Sequence, residues 1–253
     1  KNTENNLSVF EKPKSPLAES FRSIRSSLQF MYKKQMGEGC KTLMITSSVG
    51  GEGKTFCTIN LASIFALSDK KTIIVGLDLR KPKIFEDFNL DNNIGVTNYL
   101  INENNINEII KKTKIPNLDF ISSGPIPPNP SELILSDKMG ELIQELKNKY
   151  DYILLDTPPV GLVSDALQLS DYSDFTLYII RQNYSKKDMI KLLNTRNDRG
   201  ELKNISIILN GYLSNAKYGN SYGYGYGYGS YGEGYIEKDK KSFFEKIKTI
   251  IKN

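Results

Sequence analysis

Lys41-Thr-Leu-Met-Ile-Thr-Ser-Ser-Val-Gly-Gly-Glu-Gly-Lys-Thr55 decides the fold. Its first half, Lys41–Ser47, is a short apolar run that reads as a strand, and residues 54–68 read as a helix with Ile59, Leu61, Ala62 and Phe65 available for packing. Between them the run from Ser48 matches G-x-x-x-x-G-K-[ST] at every fixed position except the first, where serine replaces glycine. Gly50, Gly51 and Gly53 let backbone N–H groups turn inward around phosphate oxygens, and the N-terminus of the following helix adds positive potential. In such a loop Lys54 reaches the β- and γ-phosphates and the Thr55 hydroxyl ligates Mg²⁺. Val49, Gly50, Gly51, Glu52, Gly53, Lys54, Thr55 and Phe56 are therefore the candidate nucleotide-binding residues, with ATP and Mg²⁺ as expected cofactors. The bland alternative, an ordinary glycine turn, does not require the strand and helix that flank this one.

Working outward, further β-rich runs lie at 72–78, 118–122, 151–156, 175–180 and 204–210, with helical or loop stretches between them. The alternation predicts an α/β chain of P-loop NTPase type, a mostly parallel sheet with helices on both faces. Upstream, Leu17, Phe21, Ile24 and Leu28 recur at helical spacing within 15–32, with Pro13 and Pro16 at its start. Four prolines in Ser123-Gly-Pro-Ile-Pro-Pro-Asn-Pro-Ser131 predict a stiff loop without regular structure, placed at a sheet edge. Beyond Leu213 tyrosine and glycine alternate, a composition that forms no core. Residues 238–252 then set Phe243, Phe244, Ile247, Ile250 and Ile251 opposite several lysines, which reads as a short amphipathic helix. The expected division is 1–40, 41–212 as the core, 213–236 as a Tyr/Gly-rich tail, and 237–253.

Composition excludes several classes. Apolar residues at 39% and charged residues at 25% describe an ordinary globular chain. A net charge of +5 over 253 residues, with lysines scattered, gives no reason to expect a nucleic-acid partner. Cys40 and Cys57 form no CxxC pair and histidine is absent, which removes the usual ligands of structural zinc and suits a reducing compartment. No apolar run approaches the roughly 18 residues of a membrane span, and the first residues given do not show a signal peptide's basic and apolar regions. The chain begins with Lys1 and not Met, so the expectation is a soluble fragment with a membrane portion before it.

Two more segments carry acids at strand ends. Tyr152-Ile-Leu-Leu-Asp156-Thr-Pro-Pro159 reads as a Walker B strand, whose Asp156 stands on the Mg²⁺ side. In Ile73-Ile-Val-Gly-Leu-Asp-Leu-Arg80, Asp78 is a second metal-side or base candidate. Thr55, Asp78 and Asp156 are thus the candidate metal residues. Asn210 either hydrogen-bonds adenine or makes a turn, and Asp165 either faces the γ-phosphate or caps the helix that follows.

The P-loop, Leu77-Asp-Leu-Arg-Lys-Pro82, the loop Ser123-Gly-Pro-Ile-Pro-Pro-Asn-Pro-Ser-Glu-Leu133 and the Walker B strand together resemble the bacterial tyrosine kinases (BY-kinases). These are the kinase domains of capsule and exopolysaccharide chain-length regulators, the polysaccharide co-polymerases. They are related to the Walker-type ATPases that position septa and partition DNA. Glu19-x-x-Arg22-x-x-Arg25 resembles the family's ExxRxxR oligomerisation motif, against the bland reading of an ion-paired helix surface. Tyr218, Tyr222, Tyr224, Tyr226, Tyr228, Tyr231 and Tyr235 resemble its autophosphorylated tail. The resemblance implies tyrosine autokinase activity with Lys54, Asp78, Asp156 and Arg80 as catalytic residues, and Lys81 and Lys83 drawing in the acceptor. It also implies a homo-oligomeric ring, a membrane-embedded co-polymerase or activator segment in cis or trans, a cognate tyrosine phosphatase, and a place on the cytoplasmic face of the bacterial inner membrane.

Two positions depart from the family pattern: Gly76 stands where the first of two aspartates is usual, and Gly50 where the P-loop tends to have proline. Two rival readings remain. A partitioning or septum-site ATPase carries a signature lysine where this chain has Val49, and gives the tail no purpose. A non-catalytic nucleotide-binding scaffold is kept open by Gly76.

Overall fold

The computed structural model describes residues 6–35 and 39–212. The tyrosine cluster and the expected helix at 238–252 lie outside the described residues. Among the described residues seven strands form one sheet: β1 (Lys41–Ser47), β2 (Thr72–Gly76), β3 (Ile110–Lys112), β4 (Leu118–Ile121), β5 (Tyr152–Asp156), β6 (Phe175–Arg181) and β7 (Ile205–Asn210). Their order is β3-β4-β2-β5-β1-β6-β7, parallel throughout except where β3 runs antiparallel to β4. The register sets Ile45 of β1 and Gly76 of β2 on either side of Asp156, the last residue of β5.

Alternation along the strands builds two cores. Leu43, Ile45, Ile74, Leu154 and Leu177 face one side, where the helix Lys54–Ala66 packs; Met44, Ile73, Val75, Ile153 and Leu155 face the other, against Met139, Leu142 and Leu146 of the helix Asp137–Lys147. Every residue of Lys54–Ala66 from Cys57 onward is buried. That is what a helix needs when the sheet lies beneath it and a second helix, Pro16–Gln35, lies over it. Phe21, Leu28 and Tyr32 of the outer helix are buried, and Phe21 meets Phe56 with ring centroids 6.1 Å apart.

Two expectations need correction. Residues 110–112 form a strand that the sequence pattern does not announce: Ile110-Lys-Lys112, which follows the short helix Ile106–Ile109, has neither length nor alternation and pairs with the edge that β4 offers. The proline loop is not at a sheet edge, because β3 covers β4; it leaves the carboxyl end of an inner strand and passes above the sheet. Nor does it lack regular structure, since Pro130 opens the short helix Pro130–Ile134, where a missing N–H costs nothing.

Candidate nucleotide and phosphotransfer site

β1 lies between β5 and β6 while its crossover leads to β2 on the far side of β5. β5 in turn connects to β6 on the far side of β1, so the connections of these neighbouring strands leave in opposite directions at their carboxyl ends, the place where open parallel sheets receive ligands. The P-loop leaves β1 there. Gly51 and Gly53 have φ of +85° and +95°, left-handed values that favour glycine, while a Cβ on Gly50 would meet nothing within 4 Å. Proline's usual place is thus open space in this chain.

Lys54 and Asp156 meet beneath the loop. The Lys54 ammonium donates a long 3.3 Å bond to the Ser47 hydroxyl. Burial lowers its pKa, against the pull of Asp156, Asp78 and Glu52. The Asp156 carboxylate accepts the Thr55 hydroxyl at one oxygen and the Thr58 hydroxyl at the other, both at 3.3 Å, and the Thr58 hydroxyl also lies 3.0 Å from the Lys54 carbonyl. Burial pushes the Asp156 pKa up to about 6 although Lys54 opposes it. Two opposite charges are thus partly desolvated within each other's field, with long hydrogen bonds only. A hydroxyl, a buried carboxylate and a second acid nearby form an all-oxygen set suited to Mg²⁺, which binds through one or two carboxylates and completes its shell with phosphate and water. Among the described residues no group of three or more His, Cys, Asp or Glu side chains could hold a metal unaided.

Asp78 is half-buried and accepts the Lys81 N–H at 3.0 Å, which fixes the turn that follows β2. Gly76, in register with Asp156, is closely packed: a Cβ there would lie 3.1 Å from the Ser123 hydroxyl, which itself donates to the Gly76 carbonyl at 2.8 Å. The proline loop occupies the place of the missing acid.

Arg80 is not free to search for an acceptor. Its Nε and Nη2 grip both oxygens of Asp165 at 2.7 and 3.1 Å; Nη2 also donates to the Ser131 hydroxyl, which donates in turn to Asp165 at 2.8 Å. Burial raises the Asp165 pKa, but the Arg80 and Ser131 bonds outweigh it and hold the carboxyl below the usual carboxylate range. Asp165, the first residue of its helix, is thus held by Arg80 and Ser131, while the N-cap Ser164 makes no side-chain bond. Lys81 and Lys83 stand exposed beside this cluster.

The remaining candidates divide. Asn210 donates its amide to the Glu52 carbonyl at 2.9 Å, and its oxygen accepts the Gly211 N–H. Glu52 is buried within the loop and accepts the Val49 N–H at 2.9 Å. Phe56 turns its ring to Phe21 and the core, so its place in the site rests on its backbone. Glu19 and Arg22 form a 2.9 Å ion pair on a half-exposed helix face, while Arg22 also reaches the Pro13 carbonyl and Arg25 the Ile64 carbonyl. Sequence reasoning missed Ser47, Thr58 and the end of β6 with the segment after it, where Arg181, Tyr184 and Ser185 touch the P-loop. Thr58 sits one helical turn past Lys54, a spacing that could have flagged it; nothing in the sequence marks the others.

Residues 40–207 match the family AAA_31, described as an AAA domain. A putative tyrosine-protein kinase, CapB of Staphylococcus aureus, is 42% identical over 166 residues, 66% of this chain and 72% of that protein. The tyrosine-protein kinase YwqD of Bacillus subtilis is 34% identical over 209 residues, 82% of this chain and 86% of that protein. Among solved structures, the kinase domain of the Escherichia coli tyrosine kinase ETK superposes with a TM-score of 0.78 at 31% identity, covering 89% of this chain and 87% of that one.

Proposed function

We propose that this chain, which belongs to the bacterial tyrosine-protein kinases, phosphorylates the tyrosines of its own 218–235 segment from ATP with Mg²⁺. Membership of the family makes it a protein-tyrosine kinase; the tail as acceptor is our reading. The observation that supports it most is the buried Asp156 with the half-buried Lys54 near it under the P-loop, each held only by 3.3 Å bonds to hydroxyls and each shifted by desolvation. When bound, Mg²⁺-ATP supplies the phosphoryl group and neutralises charge on it.

Each residue then has a part. Lys54 and the loop amides from Val49 to Phe56 hold the phosphates, Thr55 and Asp156 hold the cation with Asp78 beside them, and Asn210 stands on the adenine side. Asp78 orients the attacking tyrosine hydroxyl or takes its proton, which needs help because phenol has a pKa near 10. Lys81 and Lys83, exposed beside the Arg80–Asp165 pair, form a positive rim that draws in the acceptor.

Glu19, Arg22 and Arg25 are proposed to build a homo-oligomeric ring, in which one subunit presents its tail to the next. Each phosphotyrosine adds about 1.5 to 2 negative charges, so a modified ring loosens by repulsion. Such a cycle suits control of polysaccharide synthesis and export at the cytoplasmic face of the inner membrane. It calls for a membrane-embedded co-polymerase or activator segment and a cognate phosphatase. That segment is proposed to act in cis or in trans; no described helix is long and apolar enough to cross a membrane. Nucleic acid has no place in this reading. A scaffold that binds nucleotide without transfer is the second reading, favoured only by Gly76.

Incubation with ATP and Mg²⁺ followed by phosphopeptide mapping tests the proposal. Phosphotyrosine within 218–235 is expected. Phosphotyrosine elsewhere but not there overturns the tail as acceptor, and no phosphotyrosine anywhere, with nucleotide still bound, selects the scaffold. Mixing a Lys54→Met chain with a chain whose tail tyrosines are phenylalanine separates transfer between subunits, which labels the Lys54→Met tail, from transfer within one.

A further inference from the structure

A P-loop binds phosphate only if successive peptide units turn their N–H groups inward, and that turns their carbonyls outward. Here three successive outward carbonyls each receive a side-chain donor. The Tyr184 hydroxyl donates to Gly50 at 2.9 Å, Arg181 Nη1 to Gly51 at 3.0 Å, and Asn210 Nδ2 to Glu52 at 2.9 Å. The Ser185 hydroxyl makes a very short contact with the Glu52 carboxylate, whose other oxygen accepts the Val49 N–H.

All four donors come from the ends of β6 and β7, 130 to 158 residues away in sequence. They fit closely. A Cβ on Gly51 would lie 2.7 Å from the Tyr184 hydroxyl and one on Gly53 2.0 Å from the Asn210 amide, while the Arg181 guanidinium sits 5.7 Å from the Tyr184 ring centroid.

We propose that Arg181, Tyr184 and Ser185, together with Asn210, form a bracket that fixes the orientation of the P-loop peptides and thereby sets affinity for the nucleotide's phosphates. The bonded carbonyls belong to the peptide units whose N–H groups are those of Gly51, Glu52 and Gly53. Bonding the oxygen of a peptide polarises its N–H, and a loop already held in its binding shape loses less freedom when phosphate arrives. The three β6-side residues are thus positioning residues: they act through the loop and not on the reacting atoms. Ordinary tertiary packing would equally hold the segment in place, but it would not act selectively on nucleotide affinity.

The inference rests on the P-loop binding nucleotide, so wild-type affinity for Mg²⁺-ADP is measured first, by calorimetry. Tyr184→Phe keeps the ring and removes one donor. The expected result is an ADP Kd and an ATP KM raised about five- to tenfold, the worth of one hydrogen bond, with kcat within about twofold and the unfolding midpoint unchanged. Ser185→Ala carries the same expectation through Glu52 and serves if the first variant does not fold. Unchanged Kd and KM in a folded variant, or a fall in kcat alone, overturns the bracket while wild-type binding leaves the kinase reading intact. A wild-type chain that binds no ADP overturns both.

Discussion

Two carboxylates at the carboxyl ends of the sheet, Asp156 and Asp165, are buried to nearly the same degree, 5% and 1% exposed, yet their protonation is pushed in opposite directions. Asp165 has both oxygens engaged at 2.7 to 3.1 Å by a guanidinium and a hydroxyl. Asp156 has two threonine hydroxyls at 3.3 Å and a lysine that is itself desolvated. The difference separates architecture from function. A buried charge that is fully partnered joins three parts of the chain: the turn after β2, the proline loop and the helix Asp165–Leu169. A buried charge left short of partners marks where a ligand completes the structure.

The sharpest way to break that contrast is to truncate the partnered side. Arg80→Ala leaves a carboxylate that is 1% exposed without its cation, and a loss of about 1 to 3 kcal/mol in unfolding free energy is expected, reduced from the fully buried case because Arg80 itself is partly solvated. Adding Asp165→Asn should recover part of that loss, because the stranded charge is gone. A cost below about 1 kcal/mol in denaturant titrations would mean that the cluster does not hold the site together.

The opposite sign is expected on the other side. The folded-state pKa of Asp156 lies above its ordinary value, so its contribution to the unliganded chain is full below about pH 4 and is lost as pH rises through about 6. Asp156→Asn should therefore stabilise the nucleotide-free protein above pH 6 by about 1 to 2 kcal/mol, less than the full linkage because Lys54 loses a neighbour. The variant should also lose that stretch of the pH profile while it loses kinase activity. If both proteins show the same slope between pH 4 and 7, Asp156 is not the strained group described here.

The smallest effect belongs to the helix surface. Glu19→Ala removes a half-exposed i, i+3 pair worth a few tenths of a kcal/mol, so chain stability should hardly change. The mass in solution should nevertheless fall if Glu19, Arg22 and Arg25 build a ring, and light scattering reads that directly.

Much of this was legible in the sequence because phosphate chemistry constrains local pattern. The P-loop, the Walker B strand and six of the seven strands follow from motif and alternation, with strand ends displaced by a residue or two. What stayed hidden depends on topology. Asp165 and Arg80 are 85 residues apart, and nothing local says that one grips the other instead of capping a helix. Gly76 looked like a lost acid, whereas the fold has set Ser123 against it. β3 carries too little apolar pattern in Ile110-Lys-Lys112 to announce itself, and Arg181 and Tyr184 match no motif because their targets are backbone carbonyls.

Lys54→Met puts the central claim to its most direct test, since the variant keeps an apolar stem in the buried site and removes the charge meant for the phosphates. Wild type and variant, both shown folded by their unfolding midpoints, are incubated with ATP and Mg²⁺ while phosphotyrosine within 218–235 is followed over time. The account predicts labelling in wild type and a rate lower by at least about 10³-fold in the variant, comparable to removing a principal charge-stabilising donor. A Lys54→Met tail labelled within tenfold of the wild-type rate would contradict it.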